Sequence, residues 1–446
     1  MKCLLATLSL GVFAGALDLS VLSPALPALG HQFDVATNDL AWVFTLYLLV
    51  TVVSIAIAST LADRFGRRPV YLACIALFAL GSIVAILAPN YGIFLLARAI
   101  QALGAGGIFP VATAAIGDVV PQERRGAALG AVAGMWGLAA VIGPALGGLI
   151  THFISWRWIF AANLPLAAVV FVMAQQNVPK TAPHTREPLD VFGLVLLCCG
   201  LLGVMDGLLA TRLNVGILGA LFLGAFVFWQ RLARYPIVPP GLLSSPQLAK
   251  TYALEIVIGV LEGSLFFIPT VLVAAQGMSY AAAGMVAALG GFTFVVVIPS
   301  AGRAIDRLGS RDVLLAGTVL TELGLAIFAL GFANLWLALL AMVVAGMGFG
   351  ALLGAPTRYI VTNETTERTR ATAVGLLSQC LIVGQILGSS LAGAFIGLSK
   401  SEYLGYRHAY LAFCAAAFVA LIVAATLQPR AKERTAPLPL AQEGSV

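Results

Sequence analysis

The sequence predicts an all-α membrane protein of two related six-helix halves with two additional helices between them. Three observations lead there. The 446 residues are 60% hydrophobic and only 10% charged, with a mean hydropathy of +1.00, whereas soluble domains carry about 25% charged residues. Apolar runs of the roughly 20 residues that a helix needs to cross a bilayer recur along the whole chain. Charged loops between those runs also repeat at one interval. Leu61-Ala-Asp-Arg-Phe-Gly-Arg-Arg-Pro69 is echoed by Gly302-Arg-Ala-Ile-Asp-Arg-Leu-Gly-Ser-Arg311, with Asp63 lying 243 residues before Asp306. Glu123-Arg-Arg125 and Glu367-Arg-Thr-Arg370 follow the same rule, Arg125 and Arg370 being 245 residues apart. Pro110 and Pro356, each after a Gly-rich stretch, are 246 apart. Three matches near one interval mean a duplicated membrane domain, the build of transporters with a central site between repeats.

In order, the predicted spans are 4–27, 40–62, 69–88, 91–117, 124–150, 157–175 and 190–210, then 213–231, 250–274, 280–300, 312–332, 335–358, 370–397 and 407–427. Charged residues, or Pro, Gly and Asn, bound each one. The organisation expected is a first six-helix bundle (1–178), two extra linker helices with a cytoplasmic loop (179–248), a second six-helix bundle (249–430) and a cytoplasmic tail (431–446). With the N-terminus inside, 20 of the 25 Lys and Arg residues fall on the cytoplasmic side. Arg157, Arg212, Lys400 and Arg407 fall outside, and Arg98 lies within a span. This is the positive-inside pattern. It predicts a multi-pass protein of the cell inner membrane with both termini cytoplasmic. The net charge of +6 is therefore a topology signal, and no nucleic-acid partner is expected.

The opening Met1-Lys-Cys-Leu-Leu with Ala14-Gly-Ala16 imitates a signal peptide, but the apolar run continues to Leu29, which argues against cleavage. Six cysteines (Cys3, Cys74, Cys198, Cys199, Cys380, Cys414) show no metal-ligand spacing and read as small packing residues. No cofactor or metal is expected. There is no Gly-rich phosphate loop ending in Lys-Ser or Lys-Thr, and no loop long enough for a nucleotide-hydrolysing module. Energy must then come from an ion gradient, or transport is passive. An enzyme is not expected, because His31, His152, His184 and His408 are scattered near membrane edges.

Several motifs carry a family resemblance. The first charged loop fits Gly-x-Leu-Ala-Asp-Arg-x-Gly-Arg-Arg, with Ser59 in place of the first Gly. Gly143-Pro144-Ala-Leu-Gly147-Gly148 preserves a Gly-Pro-x-x-Gly-Gly antiporter signature, with Ala139 replacing a preceding Gly. Trp156-Arg-Trp-Ile-Phe160-Ala-Ala-Asn163-Leu-Pro165, Arg98-Ala-Ile-Gln101-Ala-Leu-Gly104 and Leu17-Asp18-Leu-Ser-Val-Leu-Ser-Pro-Ala25-Leu-Pro27 match further family segments, with Ser20, Pro24 and Ala102 as departures. Taken together, the chain resembles the major facilitator superfamily, and within it the fourteen-span drug:proton antiporters of the EmrB/QacA type. The resemblance implies the major facilitator fold. It implies a conformational latch at Asp63, Arg64, Gly66 and Arg67, with Asp118 as salt-bridge partner of Arg67 and a weaker echo at Asp306 and Arg307. In that latch Asp63 caps the helix beginning near Arg370 and holds the inward mouth shut, helped by the helix dipole. It also implies a close, sliding contact between halves at Gly143, Pro144, Gly147 and Gly148, with Gly384 and Gly388 as counterparts.

Ionisable groups inside spans are functional candidates, since each costs at least about 2.5–3.5 kcal/mol at the bilayer centre. Asp18 lies mid-span in span 1, Glu262 mid-span in span 9, and Glu255 two turns before Glu262 on the same face. Asp18 and Glu262 become the proton-coupling pair, because burial favours the neutral form of a carboxyl. Arg98 is either the cation that drives proton release or the fixed partner of a buried acid. Glu322, on a span the family places at the periphery, is expected to pair structurally, and Asp206 to reach the outer interface near Arg212. Trp42, Tyr47, Gln101, Phe109, Trp136, Phe266, Phe267, Phe292, Gln379 and Gln385 are candidates for the substrate cavity, aromatics suiting amphipathic cations.

The function expected is a proton-coupled antiporter that exports lipophilic, cationic compounds by alternating access. Its partners are a small-molecule substrate, protons and the lipid bilayer, and it is expected to act as a monomer. The rivals are a dedicated exporter of one metabolite, siderophore or lipid, and a membrane sensor or scaffold that transports nothing.

Overall fold

The computed structural model describes residues 2–180, 190–210, 212–238, 240–353, 355–365 and 367–429, the side chains of 122–127, 133, 240, 306 and 367–371 excepted. Fourteen helices among the described residues are long and apolar enough to cross a membrane. Spans 1 to 7 are Lys2–Phe33, Ala41–Phe65, Arg67–Leu87, Tyr91–Val119, Ala128–Phe153, Arg157–Asn177 and Val191–Leu209. Spans 8 to 14 are Leu213–Gln230, Pro246–Gln276, Tyr280–Ile305, Ser310–Gly331, Leu335–Asn363, Thr372–Leu398 and Glu402–Ala425. Each overlaps one apolar run of the sequence.

Polar residues cap several helix starts, and spans 9 and 14 begin four and five residues earlier than the sequence predicts. Asn90, Asp190, Ser245, Ser279 and Ser401 each accept a backbone N–H of the first turn through their side chains. Span 9 accordingly begins at Pro246, directly behind the Ser245 cap, rather than near 250. Span 1 runs past Pro27 to Phe33. A 3-10 turn over Ser23–Ala25 absorbs Pro24, and Pro27 then sits in the first turn of a new helix, Leu26–Phe33, where its missing N–H costs nothing.

The backbone repeats as the motifs do. Gly66 (φ 92°) and Gly309 (φ 92°), 243 residues apart, turn the chain between spans 2 and 3 and between spans 10 and 11. Only glycine adopts such a conformation freely. Span 9 breaks like span 1, with a 3-10 turn at Ser264–Phe267 followed by helix Ile268–Gln276 with Pro269 in its first turn. Glycine packing repeats too. Gly104 abuts Cys74 and Phe78 of span 3, while Gly348 abuts Gly317 and Thr321 of span 11. Gly106 abuts Thr51 and Ser54 of span 2, while Gly350 abuts Phe294 and Val297 of span 10.

The first half of the chain meets the second along two seams, span 5 against span 10 and span 2 against span 13. The Gly-Pro-x-x-Gly-Gly segment of span 5 serves two neighbours. Gly143 and Gly147 press on Ser20 and Val21 of span 1 in their own half, while Pro144 and Gly148 press on Gly284 and Tyr280 of span 10. Residues four apart share one helix face and their next neighbours lie 100° round, so contact with the opposite half accounts for half of the motif. Gly384 and Gly388 of span 13 likewise press on Ile256 and Val260 of span 9, within their own half. Spans 7 and 8 pack on each other through Gly203, Gly207, Gly216 and Gly219. Asp190 fastens their ends, accepting from Trp229 Nε1 (2.9 Å) and Gln230 Nε2 (2.9 Å). Span 7 packs on spans 2 and 13, beside the second seam.

Candidate functional site

Two polar centres stand next to the two helix breaks. In span 1, Asp18 lies five residues before the 3-10 turn and is fully buried. Its Oδ2 accepts from Arg98 Nη1 of span 4 at 2.5 Å. Its Oδ1 accepts from Asn163 Nδ2 of span 6 at 2.7 Å and from Gln101 Nε2 of span 4 at 3.2 Å. Arg98 Nη1 also donates to Gln101 Oε1 (2.9 Å), and Gln101 Nε2 to Ser82 Oγ of span 3 (2.8 Å). The guanidinium carbon sits 4.1 Å from the centre of the Tyr47 ring, a cation–π contact from span 2. Asp18, Arg98, Gln101 and Ser82 are all 0% exposed. Five spans thus converge on one charge-neutral cluster, the condition under which buried charges are tolerated. Arg98 is the fixed partner of an acid in this arrangement, and Tyr47 and Gln101 belong to its cluster rather than to an open cavity.

In span 9, Glu262 lies two residues before the 3-10 turn. It is half-buried and accepts one hydrogen bond, from Gln385 Nε2 of span 13 at 2.8 Å. No cation is paired with it among the described residues. Glu255, two turns earlier, is 5% exposed, with Thr357 and Arg358 of span 12 as polar neighbours.

Beyond both acids, towards the end of the bundle that carries Thr37, the halves are closed on each other. Phe266 stacks on Phe44 with 4.4 Å between ring centres, and Ser23 Oγ donates to the Phe266 carbonyl at 2.6 Å. Thr45 and Ser389 hydroxyls meet at 2.8 Å, and Thr37 donates to Glu402 at 2.7 Å. Towards the opposite end, which carries Asp63, the contact ceases. The span 5 face that touches span 10 at Gly148 and Gly137 continues through Gly134 and Gly130, where an added Cβ would meet no atom of the described residues within 4 Å. Gly375 of span 13 is equally open. Glu262, four residues before Phe266 on span 9, therefore lies on the Asp63 side of these closing contacts.

The remaining expected residues distribute as follows. Trp136 is 45% exposed on span 5, Gln379 half-buried on span 13, and Phe292 56% exposed on span 10. Trp42 and Phe109 are partly buried against apolar clusters, and Phe267 is buried beside Phe266. At the Asp63 end, Arg67 pairs with Asp63 and donates from Nε to Asp118 Oδ2 at 2.9 Å. Arg64 lies over the Phe65 ring, and Arg307 is exposed. The side chains of Asp306 and of residues 367–371, where Asp63 was expected to cap a helix, lie outside the described residues. Arg212 stands 3.8 Å from Asp206. Glu322 has Cys414 of span 14 as a neighbour, with no ion pair among the described residues. Asn163 and Ser82 were not singled out from the sequence as site residues. The available signal was an amide and a hydroxyl inside otherwise apolar spans.

The sequence profile of the Major Facilitator Superfamily matches residues 8–275 and 256–444. The chain belongs to the major facilitator superfamily. An uncharacterised MFS-type transporter, YfiU of Bacillus subtilis, is 32% identical over 414 residues, covering 89% of this chain and 80% of that protein. A multidrug resistance protein B homolog of Mycobacterium tuberculosis is 30% identical over 402 residues, covering 85% of this chain and 73% of that protein. Among solved structures, the D-xylose–proton symporter superposes with a TM-score of 0.72 at 14% identity, over 98% of this chain and 99% of the other. That likeness concerns the fold. This major facilitator chain is thus a multi-pass membrane transporter with fourteen spans.

Proposed function

We propose that this transporter exports lipophilic cations in exchange for protons, and that Glu262 is the group for which proton and cargo compete. The observation that carries the reading is the unequal state of the two acids at the breaks. Asp18 is paired with Arg98 and sealed from solvent, whereas Glu262 is half-buried, has one amide donor and has no cation paired with it among the described residues. A carboxylate in that position attracts a cation. When a proton neutralises it, the attraction is lost. One group therefore cannot hold both, and exchange follows if the protein changes its open side only when one of them is bound.

The cationic loops assign the Asp63 end to the cytoplasm, so the arrangement described here faces inward. The contacts at Phe44–Phe266, Thr45–Ser389 and Thr37–Glu402 are then the outer closure that must part for release. The name of the mycobacterial relative supports a drug-like cargo. The test is ethidium efflux from energised cells, comparing wild type with Glu262→Gln, with and without a protonophore. Protonophore-sensitive efflux that Glu262→Gln abolishes is the expected result. Efflux that persists in the variant overturns the role of Glu262. Absence of efflux in the wild type overturns the broad cation-export reading in favour of a dedicated cargo.

A further inference from the structure

The breaks of spans 1 and 9 touch each other. Ser23 Oγ, in the 3-10 turn of span 1, donates to the Phe266 carbonyl in the 3-10 turn of span 9, and the bond is buried. The two residues are 243 positions apart, the interval that relates Gly66 to Gly309. The same interval relates the left-handed residues that close the two proline-started helices, Asp34 (φ 52°) and Gly277 (φ 62°). Ser23 and Phe266 are therefore repeat-equivalent positions. A residue can meet its own equivalent only close to the axis that relates the repeats, which in this superfamily runs along the membrane normal. The Ser23–Phe266 contact thus marks the centre of the closure at the Thr37 end.

The bond also has chemistry behind it. Pro269 has no N–H with which to continue the i+3 pattern onto the Phe266 carbonyl. Two carbonyls of the span 9 turn accept side-chain hydroxyls. That of Ser264 accepts from Tyr410 of span 14, in its own half, at 2.9 Å, whereas that of Phe266 accepts from the opposite half at 2.6 Å. The Phe266 ring lies on Phe44 of span 2, with the ring planes 11° apart. The first half therefore holds Phe266 by its carbonyl and by its ring, while Tyr410 keeps the turn with the second half. A fully symmetric pair would exchange two hydrogen bonds, each side chain donating to the other's carbonyl. Phe266 has no side-chain donor, so one bond is formed. A single hydrogen bond is weak enough to break on every transport cycle, and the carbonyl it frees needs a new donor at membrane depth, which water entering an opened end supplies.

We propose that the Ser23 hydroxyl is the central lock of the outer closure: it sets the balance between the closed arrangement and one open at the Thr37 end, and it parts each time that end opens. The lock rests on the reading that this end opens for release. Tyr410, which bonds the same turn from within one half, sets no such balance.

The test reads opening directly. Ala41 of span 2 is fully buried, its Cβ 2.9 Å from where a Cβ on Gly393 of span 13 would stand, so a hydrophilic maleimide reaches Ala41→Cys when the halves part there. Its labelling rate is measured on the purified full chain with the native cysteines replaced. A parallel chain keeps only Cys74, buried inside the first half, and reports unfolding. Where opening and closing are fast, the rate follows the population of the open form. Ser23→Ala is expected to speed labelling of Ala41→Cys about fivefold, the equivalent of one hydrogen bond, and to leave Cys74 unchanged. Tyr410→Phe is expected to leave the Ala41→Cys rate unchanged. Equal rates with Ser23 and with Ser23→Ala overturn the lock alone. So does an equal acceleration at Cys74, or the same acceleration from Tyr410→Phe. Absence of labelling at Ala41→Cys in every variant overturns the opening of the Thr37 end, and the lock with it.

Discussion

Asp18 and Glu262 stand 244 residues apart, five and two residues before a 3-10 turn that leads into a proline-started helix, yet they are chemically unlike. Asp18 has three donors, one of them a guanidinium, and is sealed. Glu262 has one amide and is half-buried. The reason lies on the neighbouring spans. At the interval of 244 set by the packing glycines, Arg98 and Gln101 of span 4 correspond to Met342 and Ala345 of span 12, both buried and apolar. Duplication preserved the bends, because prolines and glycines act through the backbone. Substitution on one neighbouring helix then left one acid compensated and the other with no cation paired with it among the described residues.

The largest expected effect breaks the compensated side. Asp18→Ala leaves the Arg98 charge buried without its carboxylate and should destabilise by about 3–5 kcal/mol. The double variant with Arg98→Met should recover much of that loss in thermal or denaturant unfolding. If Asp18→Ala costs no more than Glu262→Ala, the contrast between the two centres is wrong.

The shared frame is tested next. A Cβ at Gly147 would strike the Val21 carbonyl, and one at Gly388 the Val260 carbonyl, backbone atoms that cannot swing aside. Gly147→Ala and Gly388→Ala should each cost about 1–3 kcal/mol as overpacking. Gly130→Ala, with open space around it, should be near neutral. A large effect in only one of the two repeat partners would argue against a common frame.

Smaller changes sharpen the comparison. Tyr47→Leu removes the ring beneath Arg98 and should lower stability by about 0.5–2 kcal/mol, with efflux retained. Glu262→Gln keeps an oxygen that can accept from Gln385 and should change stability by about 1 kcal/mol or less while abolishing proton-driven efflux. A variant as unstable as Asp18→Ala would place Glu262 among structural groups instead.

Much of the fold was legible because membrane solvation writes itself into composition. Each run of about 20 apolar residues with charged or helix-breaking flanks became a span. Some helix ends were less legible, since Ser245 and Ser401 start helices by hydrogen bonding rather than by apolarity. The site was legible as a set of costly intramembrane charges, Asp18, Arg98, Glu255 and Glu262, but not as an arrangement. Tyr47 and Gln101 read equally well as cavity lining, and only their distances to Arg98 place them in its cluster. Asn163 went unassigned because its value to Asp18 depends on span 6 lying beside span 1.

The sequence by itself determined the solvent, the fourteen spans, the duplication and the backbone turns at Gly66 and Gly309, since each follows from local chemistry within one loop or one helix. Tertiary structure alone decided which acid is paired and which is reachable. It also decided that one Gly-Pro motif faces two helices. Those outcomes depend on which faces of separate helices meet, and side-chain electrostatics falls off too steeply with distance for residues 80 or 100 positions apart to reveal their pairing before the bundle closes.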